Sequence, residues 1–156
     1  MRLGAGIVLA AALACGPAWA QPLVSSWSAP EMRSLVGGMA GLTVAQVDKL
    51  DNGDPFLIVQ SGGANFALYG AACSGAGAAT RCKGVSLVAF VTYDTPAKAQ
   101  AALTRLDYPA VKATRDDPRT VSLSRYVILD EGVSRKNLEA NIQLFVAILG
   151  EALALR

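Results

Sequence analysis

The first twenty residues constrain this chain most, because they decide the compartment in which the rest of it folds. Arg2 is the one charge before Glu31, and residues 3–14 are a run of Gly, Ala, Leu, Ile and Val. Cys15, Gly16 and Pro17 then lead to Ala18-Trp19-Ala20. A basic start, an apolar stretch and a small-x-small triplet form the pattern of a secretory signal, with the cut expected between Ala20 and Gln21. The apolar run is about a dozen residues, short of the roughly 20 that cross a bilayer as a helix. The expected location is therefore periplasmic or secreted, where disulfides form and persist. Ala12-Leu13-Ala14-Cys15 also loosely resembles a lipoprotein site, and cutting there would leave a chain lipid-anchored at Cys15.

Cysteine usage follows from that. Cys15 lies in the leader, so Cys73 and Cys82 remain as a pair, expected to be joined in an oxidising compartment. Between them residues 74–81 are rich in Gly and Ala and read as a flexible loop. Closing a loop of about ten residues contributes about 2 to 3 kcal/mol in the chain-entropy estimate. A redox-active pair would be expected at Cys-x-x-Cys spacing instead.

The chain has no histidine. Ser-His-Asp and Cys-His catalysis therefore cannot be built from its own side chains, nor can histidine-ligated zinc, copper or non-haem iron. Lys and Arg total 14 against 12 Asp and Glu, interspersed rather than in blocks. Nucleic acid requires a concentrated basic face, so it is not an expected partner. Beyond the leader no apolar stretch is long enough to span a membrane.

Residues 21–29 read as an N-terminal arm and residues 30–156 as one domain. Ser28 caps a short first helix with Pro30 and Glu31 in its first turn, and Gly37-Gly38 ends it. Four strands are expected over residues 42–50, 56–60, 64–69 and 85–93, the last being the most apolar and placed centrally. Asn52-Gly53 marks a tight hairpin with positive φ at both turn positions, and Ser61-Gly62-Gly63 marks a second. Thr95 and Pro96 open a second helix reaching about Leu106. Strands over residues 111–115 and 121–129 follow, and Val127-Ile128-Leu129 reads as buried on both faces. Ser134 caps the last helix, with Val133 and Leu138 at the staple positions. Leu138, Ile142, Phe145, Leu149 and Leu153 recur along it at steps of three and four, the mark of a core-facing stripe.

Chemistry-bearing clusters are few. Asp51 and Asp54 flank a turn but lack the further ligands of a calcium loop. Asp116-Asp117 and Asp130-Glu131 are acidic pairs at turns, where adjacent side chains diverge. An enzyme working through carboxylates alone would need two of these six to share a cleft. Ser74-Gly75-Ala76-Gly77 lacks the strand-to-helix setting and lysine of a phosphate loop, so no cofactor is expected.

The stretch RYVILDEGVSRKNLEANIQLF at residues 125–145 resembles the YbjN family, whose members are labelled bacterial sensory transduction regulators. That family shows a strand, a Gly-Val-Ser or Gly-Val-Thr helix start (Gly132-Val133-Ser134 here) and a Leu-rich final helix. The Asp51-Asn52-Gly53-Asp54-Pro55 turn, the paired hairpin strands and a cysteine on each side of the loop fit the same order. The resemblance covers about residues 30 to 155. One departure is the absence of Trp and Asn from residues 97–107, where many relatives carry them, so no role on that helix is carried over. The resemblance implies an α+β fold: an antiparallel sheet with helices packed on it, in the order α-β-β-β-β-α-β-β-α, similar to type III secretion chaperones. It implies no catalytic, cofactor or metal residues. The expected function is a non-enzymatic binding or regulatory module that takes a protein segment or small ligand. The rivals are a carboxylate-dependent envelope enzyme and a structural envelope component, dimeric through a sheet edge. The oligomeric state is open at this point.

Overall fold

The computed structural model describes residues 22–156. The signal segment, the Ala20/Gln21 cut and the Cys15 alternative lie outside the described residues. Within them the order is β1 (Leu23–Val24), α1 (Ala29–Gly37), β2 (Leu42–Lys49), β3 (Pro55–Ser61), β4 (Ala64–Ser74), a 3-10 turn (Gly77–Ala79), β5 (Arg81–Thr92), α2 (Pro96–Arg105), β6 (Lys112–Asp117), β7 (Thr120–Ile128), β8 (Val133–Ser134) and α3 (Arg135–Ala154). Apart from the two-residue strands β1 and β8, this is the expected α+β order.

Local chemistry sets the helix starts. The Ser28 N–H and hydroxyl both donate to Glu31 Oε2, at 2.8 and 2.9 Å, at the head of α1. Thr95 Oγ1 accepts from Lys98 N at 3.2 Å, and Ser134 Oγ accepts from Asn137 N at 3.1 Å. The bonds from Ser28 N, Lys98 N and Asn137 N satisfy N–H groups that a helix start leaves without a partner in the helix.

The long strands make one antiparallel sheet in the order β2-β3-β4-β5-β7-β6, so β5 is central as its composition required. The helices cover a single face: α1 lies on β2 and β3, α2 on β6 and β7, and α3 on β5 and β7. Leu138, Ile142, Phe145 and Leu149 of α3 are buried against Leu68, Leu87 and their neighbours, while Leu153 packs at the margin. The Phe145 ring meets Phe66 at 5.6 Å between centroids. Burying each such side chain contributes about 1.5 to 3 kcal/mol in area terms, before the entropy of ordering is subtracted.

Three expectations need correction. The Asn52-Gly53 hairpin does not have two positive φ angles; only Gly53 does, at +87°. Gly53 N donates to Leu50 O, and the Asn52 side chain bonds Asp54 at both its amide oxygen and nitrogen, which favours a longer loop closed by one left-handed glycine. The β3–β4 hairpin has the doubly positive turn instead, at Gly62-Gly63, with φ of +54° and +83°. The cysteines do not border a loose loop: β4 and β5 run on through them, so that Cys73 and Cys82 stand directly opposite and are disulfide-bonded. Finally, Val127 and Leu129 are buried but Ile128 is 62% exposed, because the helices among the described residues lie on one face of the sheet.

The arm is part of the fold. β1 pairs with β8 in a small second sheet, and Trp27 exchanges backbone hydrogen bonds with Cys82 in both directions. The Trp27 side chain is 1% exposed, and its indole N–H donates to Gly84 O at 2.9 Å.

Candidate binding surface

Alternate residues of a strand point to opposite faces, and directly opposed residues on antiparallel neighbours point to the same face. On β5, Val85, Leu87, Ala89 and Val91 face the helices. Ser86, Val88, Phe90 and Thr92 therefore face away, on a side of the sheet that no helix covers among the described residues. Cross-strand pairing extends this side into ranks. Tyr126, Ser86, Tyr69, Phe56 and Asp48 are opposed in succession from β7 to β2. The next rank runs Lys112, Ser124, Val88, Ala67, Ile58 and Gln46, from β6 to β2.

This face carries exposed apolar and aromatic side chains among serines. Phe90 is 58% exposed, Tyr126 53% and Ile128 62%. Phe56 and Tyr69 lie with ring centroids 5.8 Å apart. Gly84, opposite Ile128, makes room for the Tyr126 ring: a Cβ there would collide with the phenol, so glycine lets the tyrosine lie along the sheet. The positions of the two ranks on β3, β4, β5 and β7 are uncharged, and charge enters at the edges, with Asp48 on β2 and Lys112 on β6.

A cavity of about 280 Å³ lies elsewhere, between the arm, α1 and the start of α3, with Trp27, Met32 and Leu138 among its walls. Both of its arginines are already engaged, Arg135 donating from Nε to Glu139 Oε1 at 2.8 Å. Arg81 donates from Nε to Ser26 Oγ at 2.9 Å, from Nη1 to Glu31 Oε1 at 3.2 Å and from Nη2 to Ser26 O at 3.3 Å. Partial burial works against the charge on Glu31, but the bonds from Ser28 and Arg81 outweigh it and hold the carboxyl below its ordinary range. These contacts clamp the arm to β5 and α1. Across the sheet, Arg125 of β7 also faces the helices; it donates from Nε to Asn141 Oδ1 at 2.8 Å and from Nη1 to Ala110 O, tying α3 to the β6 side.

The six carboxylates do not come together. Asp51 and Asp54 sit in the β2–β3 turn at one edge of the sheet, and Asp116 and Asp117 sit by the β6–β7 turn at the other. Asp117 Oδ1 accepts from Arg119 N and Thr120 N at 2.8 and 2.9 Å, which holds its carboxyl below the usual range. Asp130 pairs with Lys83 at 3.0 Å, and Glu131 turns the chain at φ 65°. Among the described residues no group of three or more His, Cys, Asp or Glu is placed to hold a metal ion, and no helix is long and apolar enough to cross a membrane.

Trp27 and the uncovered sheet face are what the sequence reading missed. Trp27 stood in a serine-rich arm with no periodic neighbours. The face could have been traced from the outward set Ser86, Val88 and Phe90 on β5, had the single-sided helix cover been known.

No family model matches this chain, and no curated protein does. Among solved structures, an uncharacterized protein from Methanothermobacter thermautotrophicus is similar, with a TM-score of 0.54 over 80% of this chain and 92% of that one, at 8% identity. A likeness at that identity establishes the shared α+β fold.

Proposed function

We propose that this protein is an exported, non-enzymatic binding module of the YbjN type that engages another polypeptide across the uncovered face of its sheet. The observation that carries the reading is the grouping of Phe90, Tyr126 and Ile128, each more than half exposed, on that one face. Large apolar side chains exposed together on one face are the material of an interaction site, and aromatic anchors are the side chains that interfaces favour at their centre. The supporting arrangement is rigid: a six-stranded sheet backed by helices and closed by a disulfide next to the arm. Such a surface suits an extended or flat partner better than a small ligand, which prefers concave sites.

A photo-reactive residue at Phe90 tests this in cells that export the protein, with one at exposed Lys136 on α3 as the control. The Phe90 probe is expected to yield a discrete crosslinked polypeptide and the Lys136 probe none. The same products from both positions, or products from Lys136 alone, would remove the reading.

A further inference from the structure

We infer that the polypeptide taken up by this face is a second copy of the same chain, packed sheet against sheet around a twofold axis that runs along the strands. The inference rests on the binding reading above and adds the identity of the partner.

Three observations carry it. The first is charge. On the two ranks that cross the sheet, the positions on the four inner strands have no charge, so a copy laid against them meets no like-charge repulsion. The two charges stand at opposite edges with opposite sign, Asp48 on β2 and Lys112 on β6. Among the described residues neither is in an ion pair. The second is topology. With the order β2-β3-β4-β5-β7-β6, a twofold axis along the strands between β4 and β5 lays β2 over β6 of the copy, β3 over β7 and β4 over β5. Asp48 then faces the lysine-bearing edge, and the reverse holds on the other side, giving the self-complementary arrangement of an isologous interface. The ranks of Asp48 and Lys112 differ by one, about 7 Å along the strand, within reach of a lysine side chain. The same rotation sets Phe56 of one chain toward Tyr126 of the other, and Ile58 toward Ser124.

The third is area. Strands about 4.8 Å apart and about eight residues long give six strands a flat footprint of roughly 600 Å². Side-chain relief raises the accessible area above that, toward the roughly 800 Å² per partner of a stable interface. Two sheets stacked at about 10 Å, with strands within about 30° of one another, are an ordinary sandwich packing.

The test is sedimentation velocity on the purified, oxidised protein over a dilution series, with far-UV circular dichroism as the folding control. Wild type is expected to dimerise. Phe90→Glu, at an exposed site, is expected to leave the fold intact and abolish the dimer. Asp48→Lys and Lys112→Glu are each expected to weaken it about tenfold by placing like charges across the edge, and the double exchange to restore it to within about twofold. A monomer at every concentration, or a dimer indifferent to Phe90→Glu and to the exchange, would overturn the inference. Its failure is separable from that of the binding reading: a monomer whose Phe90 probe captures a different polypeptide loses the second copy and keeps the surface, and one that captures nothing loses both.

Discussion

Trp27 is the residue whose replacement tests the fold most sharply, because it locks the arm onto the central strand. Its side chain is 1% exposed, and its indole N–H donates to Gly84 O. Trp27→Ala removes the largest side chain of the core and leaves a cavity, at a cost of about 3 to 5 kcal/mol. The Gly84 carbonyl also loses a partner, worth about 1 kcal/mol. With a denaturant slope of about 2 kcal/mol/M, a loss near 4 kcal/mol moves the urea midpoint down by about 2 M. Trp27→Phe separates the two contributions, since it keeps most of the packing and loses the N–H, and is expected to cost about 1 to 2 kcal/mol. The assay is urea unfolding followed by far-UV circular dichroism, with reductant absent. A loss below about 1 kcal/mol for Trp27→Ala would show that the arm is not docked and would refute the argument.

Other outcomes follow from the same contacts. Replacing both cysteines with alanine is expected to cost about 2.5 kcal/mol through loss of the closed loop, measured as a shift in urea midpoint. A Cβ on Gly70 would stand 2.6 Å from Cys82 Sγ and 2.8 Å from Cys73 Sγ, so Gly70→Ala is expected to leave free thiols that a thiol reagent detects in the folded protein; full oxidation at the wild-type rate would contradict this. Glu31 has its carboxyl held low in the folded protein, so the folded state binds fewer protons than the unfolded one, whose value is about 4.3. The stability it supplies is present above that pH and is lost as pH falls through the lowered value. The gap in urea midpoint between wild type and Glu31→Gln is therefore expected at pH 7 and to shrink at pH 3; a gap independent of pH would count against the Arg81 clamp.

Short-range chemistry made much of the fold legible. Ser28 with Glu31, Thr95 with Pro96, and Ser134 with Leu138 each declare a helix start within a few residues, and Gly62-Gly63 declares its hairpin. The stripe on α3 announced its burial because helical spacing brings those residues to one side. What stayed hidden depends on partners distant in sequence. Trp27 lies 57 residues from the carbonyl it bonds. Ile128 sits in an apolar triplet whose composition says nothing about how many faces are covered. The strands run past the glycines flanking the cysteines because Cys73 and Cys82 pair across them, a register that composition cannot report. For the same reason the binding surface was illegible: it is assembled from alternate residues of several strands, and it exists only because α1, α2 and α3 all lie on the other side.

The central claim is that this uncovered face is occupied where the protein works. Hydroxyl-radical footprinting of the exported protein in its own compartment, set against the same protein purified and highly diluted, reads that directly. Phe90 and Tyr126 are expected to be modified several-fold less in the compartment than in dilution, while exposed Leu144 on α3, at 41%, changes little. Equal modification of Phe90 and Tyr126 in both settings would mean that the face meets only water, and the claim would fall.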